Sequence, residues 1–545
     1  MSKVSKLKKS RRRWKQKSMD RAKNERYLRK DLKRVKSERD RYKNEINQLT
    51  QRAHAAPLGL PTVQKVDVIH LALQLFVMVR ISFRATSRVL KVLAPQLGIE
   101  KAPSHQTVIN WVQRLTLVRM HQAHELKLTD GPKGSFCNGF IWMIDTSIGI
   151  GNGKILAVLA LDAHHYQTSD KAPTFQEVSC VAAAVSSSWT GEHIAQFMAK
   201  LIGVMGRPTA ILKDGGLDLE KGVSLLAERN LPCPTIDDVS HKVANLFKHE
   251  YKNDPMFDVF ISACGQASKN LKQTLLACLA PPKVSVKARF MNLHKLVIWA
   301  EKLLKHSPPG KAAYGSMLEK LRASMDRMPE CKSFIQRFVR DARPLLECQE
   351  IIKQKGLNHD TYQQCIKLTA TIPPTSNIRT GFIEWADKQL SVAATLKLDS
   401  VGLPVTTDSL ESLFGLAKSH GTGDVKDAGR IAIRLPALCG TPTQEEAQAV
   451  SKVSVAEQKE LTESLPSVTA QRRQVLPNPG QLETLALTPE ENYFELIPAQ
   501  SSGPKSGPKH DLSNCNIIEI QSIQGSKQKH EVVSNKEDRI PKTGT

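Results

Sequence analysis

Phe140-Ile-Trp-Met-Ile-Asp-Thr-Ser147 is a short apolar run that stops on a carboxylate, and its reading decides the fold. Phe140 to Ile144, Lys154 to Leu161 and Val178 to Val185 are apolar runs separated by turns, so they read as neighbouring strands. Gly149-Ile-Gly-Asn-Gly153 joins the first two as a hairpin. Downstream, Thr190 to Met205 has helical spacing, Thr209 to Leu212 reads as a strand, Leu217 to Arg229 as a helix and Thr235 to Val239 as a strand. Three strands, a helix, then alternating strands and helices predict a mixed α/β sheet.

Asp145 ends the first of these strands, Asp214 ends the run Thr209-Ala-Ile-Leu-Lys213, and Glu411 opens the amphipathic stretch Ser409-Leu-Glu-Ser-Leu-Phe-Gly415. Two strand-end aspartates and one helix-borne glutamate suit a divalent-metal phosphoryl-transfer site. There, two Mg²⁺ ions about 4 Å apart need hard oxygen ligands while they clamp attacking and leaving oxygens. Each acid also has a local account. Asp145 can be an ordinary strand end, Asp214 can start the Asp-Gly-Gly turn, and Asp408-x-x-Glu411 matches a capping box with Asp408 as N-cap. Asp162, Asp170, Asp218, Asp237 and Asp238 are competing acids, the last two just ahead of His241.

The chain has 545 residues and a net charge of +25. Residues 1–52 hold 21 Lys+Arg against 6 Asp+Glu, so +15 of that charge lies in the first tenth. Such a block points to a polyanion partner, nucleic acid, with a solvated tail as the plainer account. Within it Leu28, Leu32, Val35, Arg39, Tyr42, Ile46 and Leu49 follow a 4-3 spacing, which is a heptad seam with one charged core position. A coiled coil and a single basic helix that orders on DNA are both compatible with it. Arg11-Arg-Arg-Trp-Lys15 would be free to meet phosphates. Ten cysteines are scattered without a Cys-x-x-Cys pair, which argues against a zinc ribbon or disulfide framework. No stretch has the length and apolarity of a membrane span or a signal peptide, since Val66 to Val79 is broken by Asp67, His70 and Gln74. A cytosolic or nucleoid-associated protein without a membrane partner is expected.

Ala53 to Pro61 reads as a linker. Three helical segments follow, Val63 to Arg80, Phe83 to Leu97 behind Ser82, and His105 to Leu126 behind Ser104. This is a helix-turn-helix layout over 62–126, in which Gln106, Thr107, Asn110 and Arg114 fall on successive turns of the last helix and would face DNA. A plain three-helix bundle is the alternative. Residues 251–399 read as a mainly helical insertion, with Leu293 to Leu304, Ala313 to Met328, Lys332 to Lys355 and Ile378 to Leu396 each periodic. In it Trp299, with Arg289, Phe290 and Asn292, could stack on a flipped base, although Trp299 has a core role as its simpler account. Beyond 441 the composition predicts a disordered tail to 545.

Ile144-Asp-Thr-Ser147, Lys213-Asp-Gly-Gly216, Asp238-Val-Ser-His-Lys-Val-Ala-Asn-Leu246 and Thr407-Asp-Ser-Leu-Glu-Ser-Leu-Phe-Gly415 together resemble bacterial insertion-sequence transposases of the DDE type. The resemblance spans roughly residues 1–440. It implies an RNase H-like catalytic core over 139–250 and 400–440, interrupted by the helical insertion and preceded by the DNA-binding segments. It also implies Mg²⁺ (or Mn²⁺) held by Asp145, Asp214 and Glu411, strand cleavage and transfer at the ends of a mobile element, and a homodimer or higher oligomer on double-stranded DNA. His241 would then contact the scissile phosphate, against a buried structural histidine as the simpler role. A non-catalytic DNA-binding regulator and a metal-dependent nuclease are the competing functions.

Overall fold

The computed structural model describes residues 14–16, 18–22, 25, 28–44, 63–99, 101–123, 139–148, 153–284, 290–291, 293–306, 310–419, 427–463, 494–497 and 516–519. The expected 53–61 linker, Arg11 to Arg13, the turn at 149–152, Arg289, Asn292, Ile46 and Leu49 lie outside the described residues. So does most of the expected tail.

At the centre stands a mixed sheet whose first five strands are β1 (Phe140–Ile148), β2 (Lys154–Asp162), β3 (Val178–Ser186), β4 (Ala210–Lys213) and β5 (Thr235–Asp237). Short β6 (Phe494–Ile497) and β7 (Asn516–Glu519) complete the order β5-β4-β1-β2-β3-β6-β7. Strands β1, β2 and β3 form an antiparallel meander, and β4 and β5 run parallel to β1. Alternation explains the central strands: Ile141, Met143, Ile155, Ala157 and Leu159 enter one apolar cluster, while Trp142, Ile144, Leu156, Val158 and Ala160 enter the other. Both faces are therefore dry, which is why the sequence shows continuous apolar runs there. On the second face α6 (Gly191–Met205) and α7 (Leu217–Glu228) supply Ile194, Phe197, Leu201, Leu219 and Val223. A four-residue helix α5 (His165–Thr168) follows β2.

Ahead of the sheet, α1 is described over 28–44, and α2 (Lys65–Val77), α3 (Phe83–Leu93) and α4 (His105–Ala123) follow. The expected caps form, since Ser82 Oγ accepts from Ala85 N at 3.1 Å and Ser104 Oγ from Thr107 N at 3.2 Å. The three helices do not stand apart as a separate domain. Val108, Val112 and Leu115 of α4 share the core cluster of the sheet, and Thr116 Oγ1 donates to Ile433 O at 2.6 Å.

Residues 441–463, expected to be disordered, include α17 (Gln444–Lys452) and α18 (Val455–Glu463) behind α16 (Ala428–Leu438). Arg119 of α4 pairs with Glu446 at 2.7 Å, Gln444 Nε2 donates to Asp67 Oδ1 at 2.6 Å, and Val450 and Leu461 are fully buried. Composition misled because these short helices bury only two or three residues each, Gln458 and Glu446 among them, and so carry little apolar content of their own.

Between β5 and the last catalytic candidate, the chain is helical as expected: α8 (Val239–Tyr251), α9 (Pro255–Lys272), α10 (His294–Lys305), α11 (Met317–Ser324), α12 (Lys332–Lys355), α13 (His359–Thr369) and α14 (Asn377–Thr395). Tyr251, Phe257, Phe260, Phe334 and Phe338 form its aromatic core, with ring centroids of contacting pairs 5.4 to 6.3 Å apart. The return to the sheet is fixed by Leu357 and Leu403, which exchange two backbone hydrogen bonds of 2.9 Å. Gly356 (φ +71°) and Gly402 (φ +127°) flank this bridge so closely that a Cβ on Gly402 would lie 2.6 Å from Lys355 O. From here the chain enters α15 (Asp408–Ser419), the helix that carries Glu411.

Candidate active site

Strand register brings the first two acids together. Parallel pairing of β1 with β4 ends at Ile144 opposite Lys213, and pairing of β4 with β5 ends at Lys213 opposite Asp237. Asp145, Asp214 and Asp238 are each the next residue, so three carboxylates sit level across three adjacent parallel strands, Asp145 still within β1 and the other two just beyond β4 and β5. Strand β1 itself runs four residues further than expected, because β2 stays paired with it to Ile148. The crevice outside such strand ends is where open sheets place ligands.

Asp238 organises what surrounds it. Its carboxylate is almost wholly buried and accepts from His241 N (2.8 Å), His241 Nδ1 (3.0 Å), Thr407 N (2.7 Å) and Thr407 Oγ1 (3.2 Å). One side chain thereby caps α8, aims the His241 ring and anchors the residue just before α15. Despite burial, these donors hold the Asp238 carboxyl below its usual range. His241 Nε2 then faces Asp214 Oδ2 and Glu411 Oε1, each at 3.9 Å. Burial alone would push this imidazole down. The hydrogen bond and charge of Asp238, with Asp214 and Glu411 beyond, outweigh burial and raise it to about 9.

Asp214 and Glu411 thus flank one cationic imidazole, and Asp145 lies within reach of the charge of both carboxylates. Asp145 is raised to about 7, first by burial, then by Asp214 and Glu411, against the opposing hydrogen bond from Thr146 N at 2.6 Å. Glu411 is raised too, chiefly by burial. The local accounts fare differently. Asp214 does make its turn, with Oδ1 accepting from Gly216 N at 2.9 Å, and still directs Oδ2 at His241. The capping box does not form: Asp408 N donates to Thr406 Oγ1 at 3.2 Å, and the Asp408 carboxylate pairs with Lys353 at 2.6 Å. Because α15 starts at Asp408 rather than after it, Glu411 falls one residue beyond the position that would reach back, and its carboxylate points at the cluster instead.

Of the competing acids, Asp237 is committed elsewhere. It holds Lys213, which is only 1 % exposed, at 2.7 Å and Lys388 at 3.0 Å, tying β4, β5 and α14 together. Lys418 is a residue that the sequence reading missed. It lies on α15 two turns after Glu411, donates to Ser147 Oγ and feels the charge of Asp145, while burial lowers its pKa. The Glu411-to-Lys418 spacing, seven residues on one helical face, was the available signal.

As placed, the carboxylates do not close on a single point, and among the described residues no trio of His, Cys, Asp or Glu is set to hold a metal ion. The chemistry of the donor set nevertheless fits a hard divalent cation. The Asp145 carboxyl, pushed up by burial and then by the charges of Asp214 and Glu411, sits where a positive charge is wanted, and the imidazolium supplies that charge here.

The other expected contacts are distributed differently. Gln106 is exposed at the start of α4 and donates to Asn110 Oδ1 at 3.1 Å, and the Thr107 hydroxyl meets Ser104 Oγ at 3.0 Å. Arg114 does not continue this open stripe. Its Nε donates to Gln458 Oε1 of α18 at 2.9 Å, and Gln458 Nε2 reaches Gln113 at 3.0 Å, so α18 covers the helix at that level. Trp299 sits on α10 with its indole N–H on Leu279 O at 3.2 Å and its ring against the helical core, and Phe290 stacks on Phe257 at 5.3 Å. Among the described residues no helix is long and apolar enough to cross a membrane. No protein-family model matches the chain, and no curated protein matches it either.

Proposed function

We propose that the chain is a DDE-type DNA transposase with an RNase H-like core, which cuts strands at the ends of a mobile element and joins them to target DNA. The observation that carries this reading is that His241 faces both Asp214 and Glu411, with Asp145 within reach of their charge, although 197 residues (411 − 214), the helical insertion among them, separate the last two acids. The level register of the strand-end acids and the net charge of +25 support it. A cytoplasmic, nucleoid-associated location goes with this function.

Asp145, Asp214 and Glu411 are the residues that would hold Mg²⁺ or Mn²⁺. Bound there, the cation would supply Lewis-acid activation of the attacking water or 3′-hydroxyl and of the departing 3′ oxygen. The chain's own residues do the positioning. Asp238 fixes the His241 ring so that Nε2–H faces the crevice, where it can donate to a phosphate oxygen and offset developing negative charge. Lys418 brings a second cation to the same edge from α15. Gln106, Thr107 and Asn110 offer polar groups to base edges, and the basic residues of α1 offer charge to phosphates.

The test uses a supercoiled plasmid carrying the DNA that flanks the coding region. Parent protein with Mg²⁺ should nick it and join the cut ends to a second duplex. Asp145→Asn and Glu411→Gln should each reduce nicking by at least about a thousandfold, the scale for a group that stabilises the transition state, while leaving DNA binding within about twofold. Nicking by the double variant at the parent's rate would refute the site. Cutting without joining would make the chain a nuclease.

A further inference from the structure

Helix α1 is uncovered over 28–44, and four of its large apolar residues, Leu28, Leu32, Val35 and Tyr42, are each between 51 % and 65 % exposed. Their spacing places them on one face, Leu32 at heptad position a and Leu28, Val35 and Tyr42 at d, with Arg39 at the remaining a. The charges beside that face are sorted by sign. Both g positions, Asp31 and Glu38, are acidic, and all three e positions, Arg29, Lys36 and Lys43, are basic.

This sorting discriminates between partners. In a parallel pair each g residue meets the e residue five positions on in the other helix, so Asp31 meets Lys36 and Glu38 meets Lys43 of the second copy. Every such contact joins opposite charges. An antiparallel pair would set g against g and e against e, acid on acid and base on base. Arg39 at a weakens the seam but selects two strands in one register, because a charged a residue is tolerated only where it can reach water. The outward positions b, c and f carry Lys30, Lys33, Arg34 and Arg41 against one acid, Asp40, and this basic excess stays open to a polyanion.

We propose that α1 is a parallel, two-stranded self-association helix whose occupant is a second copy of this chain, with orientation set by the acidic g and basic e rows. The inference does not depend on the active-site reading, since it is measured without DNA or metal.

Two reciprocal variants of the full chain test it, Lys36→Glu with Lys43→Glu, and Asp31→Lys with Glu38→Lys. These side chains lie on the exposed helix, so the core's thermal transition serves as a check that folding is unchanged. Sedimentation of the parent at low salt should give a dimer. Each variant alone should self-associate at least about tenfold more weakly, and an equimolar mixture should recover the dimer as a heterodimer. Leu28→Cys in the parent should give an oxidised, cross-linked dimer that the parent, with its native cysteines, does not give. A monomeric parent, variants that dimerise like the parent, a mixture that fails to recover, or a dimer that does not cross-link at 28 would each overturn the proposal.

Discussion

Asp145 is where the electrostatic strain of the site concentrates. With its pKa raised from 3.8 to about 7, the folded chain prefers it protonated while the unfolded chain does not, so its contribution to stability is lost as pH rises through that window. His241, raised from 6.5 to about 9, has the same sign in a higher window: its contribution is full below 6.5 and gone above about 9. Asp145→Asn removes the first loss. In chelator, the variant should gain stability over the parent that begins near pH 4, grows to about pH 7 and then levels at on the order of 2–4 kcal/mol, read by urea unfolding. A constant difference across pH 4 to 8 would mean that Asp145 is not the strained group.

At the scale of elements, the site depends on how the chain comes back to the sheet after the insertion. Gly402→Ala puts a Cβ 2.6 Å from Lys355 O at a φ of +127°, so it should cost about 2–3 kcal/mol and shift α15, weakening metal affinity as well as stability. Isothermal titration and urea melts of the same variant check both, and unchanged values would show that the Leu357–Leu403 bridge does not set the position of Glu411. Much of this element scale was legible in advance. Helix α12 occupies Lys332–Lys355 as its periodicity predicts, and the strands from β1 to β5 begin and end within a few residues of their apolar runs. Both apolar faces of β1 and β2 made that possible. Helix α16 was not legible, because it is buried nearly all round between α4 and the sheet and so has no polar face to set a period, and Pro436 argues against a helix there. The Asp238 hub was equally hidden. Its carboxylate bonds Thr407 across 169 residues, a separation that no local pattern encodes.

For the whole molecule, charge and connectivity divide the work. The first 52 residues carry +15 of the +25, so removing them should weaken binding to DNA of any sequence and make its salt dependence shallower, as fewer counterions are released. An unchanged slope in filter binding would take α1 out of the interface. The remaining fold serves to bring Asp145 of β1, Asp214 beyond β4 and Glu411 of α15 to one place, and that assembly is the central claim. Mn²⁺ binding to the full-length chain, followed by electron paramagnetic resonance without DNA, tests it most directly. The account predicts a site whose affinity rises between pH 6 and 9, as Asp145 ionises and His241 gives up its proton, and which Asp145→Asn, Asp214→Asn and Glu411→Gln each weaken by at least about tenfold. Equal affinity in the parent and all three variants would contradict it.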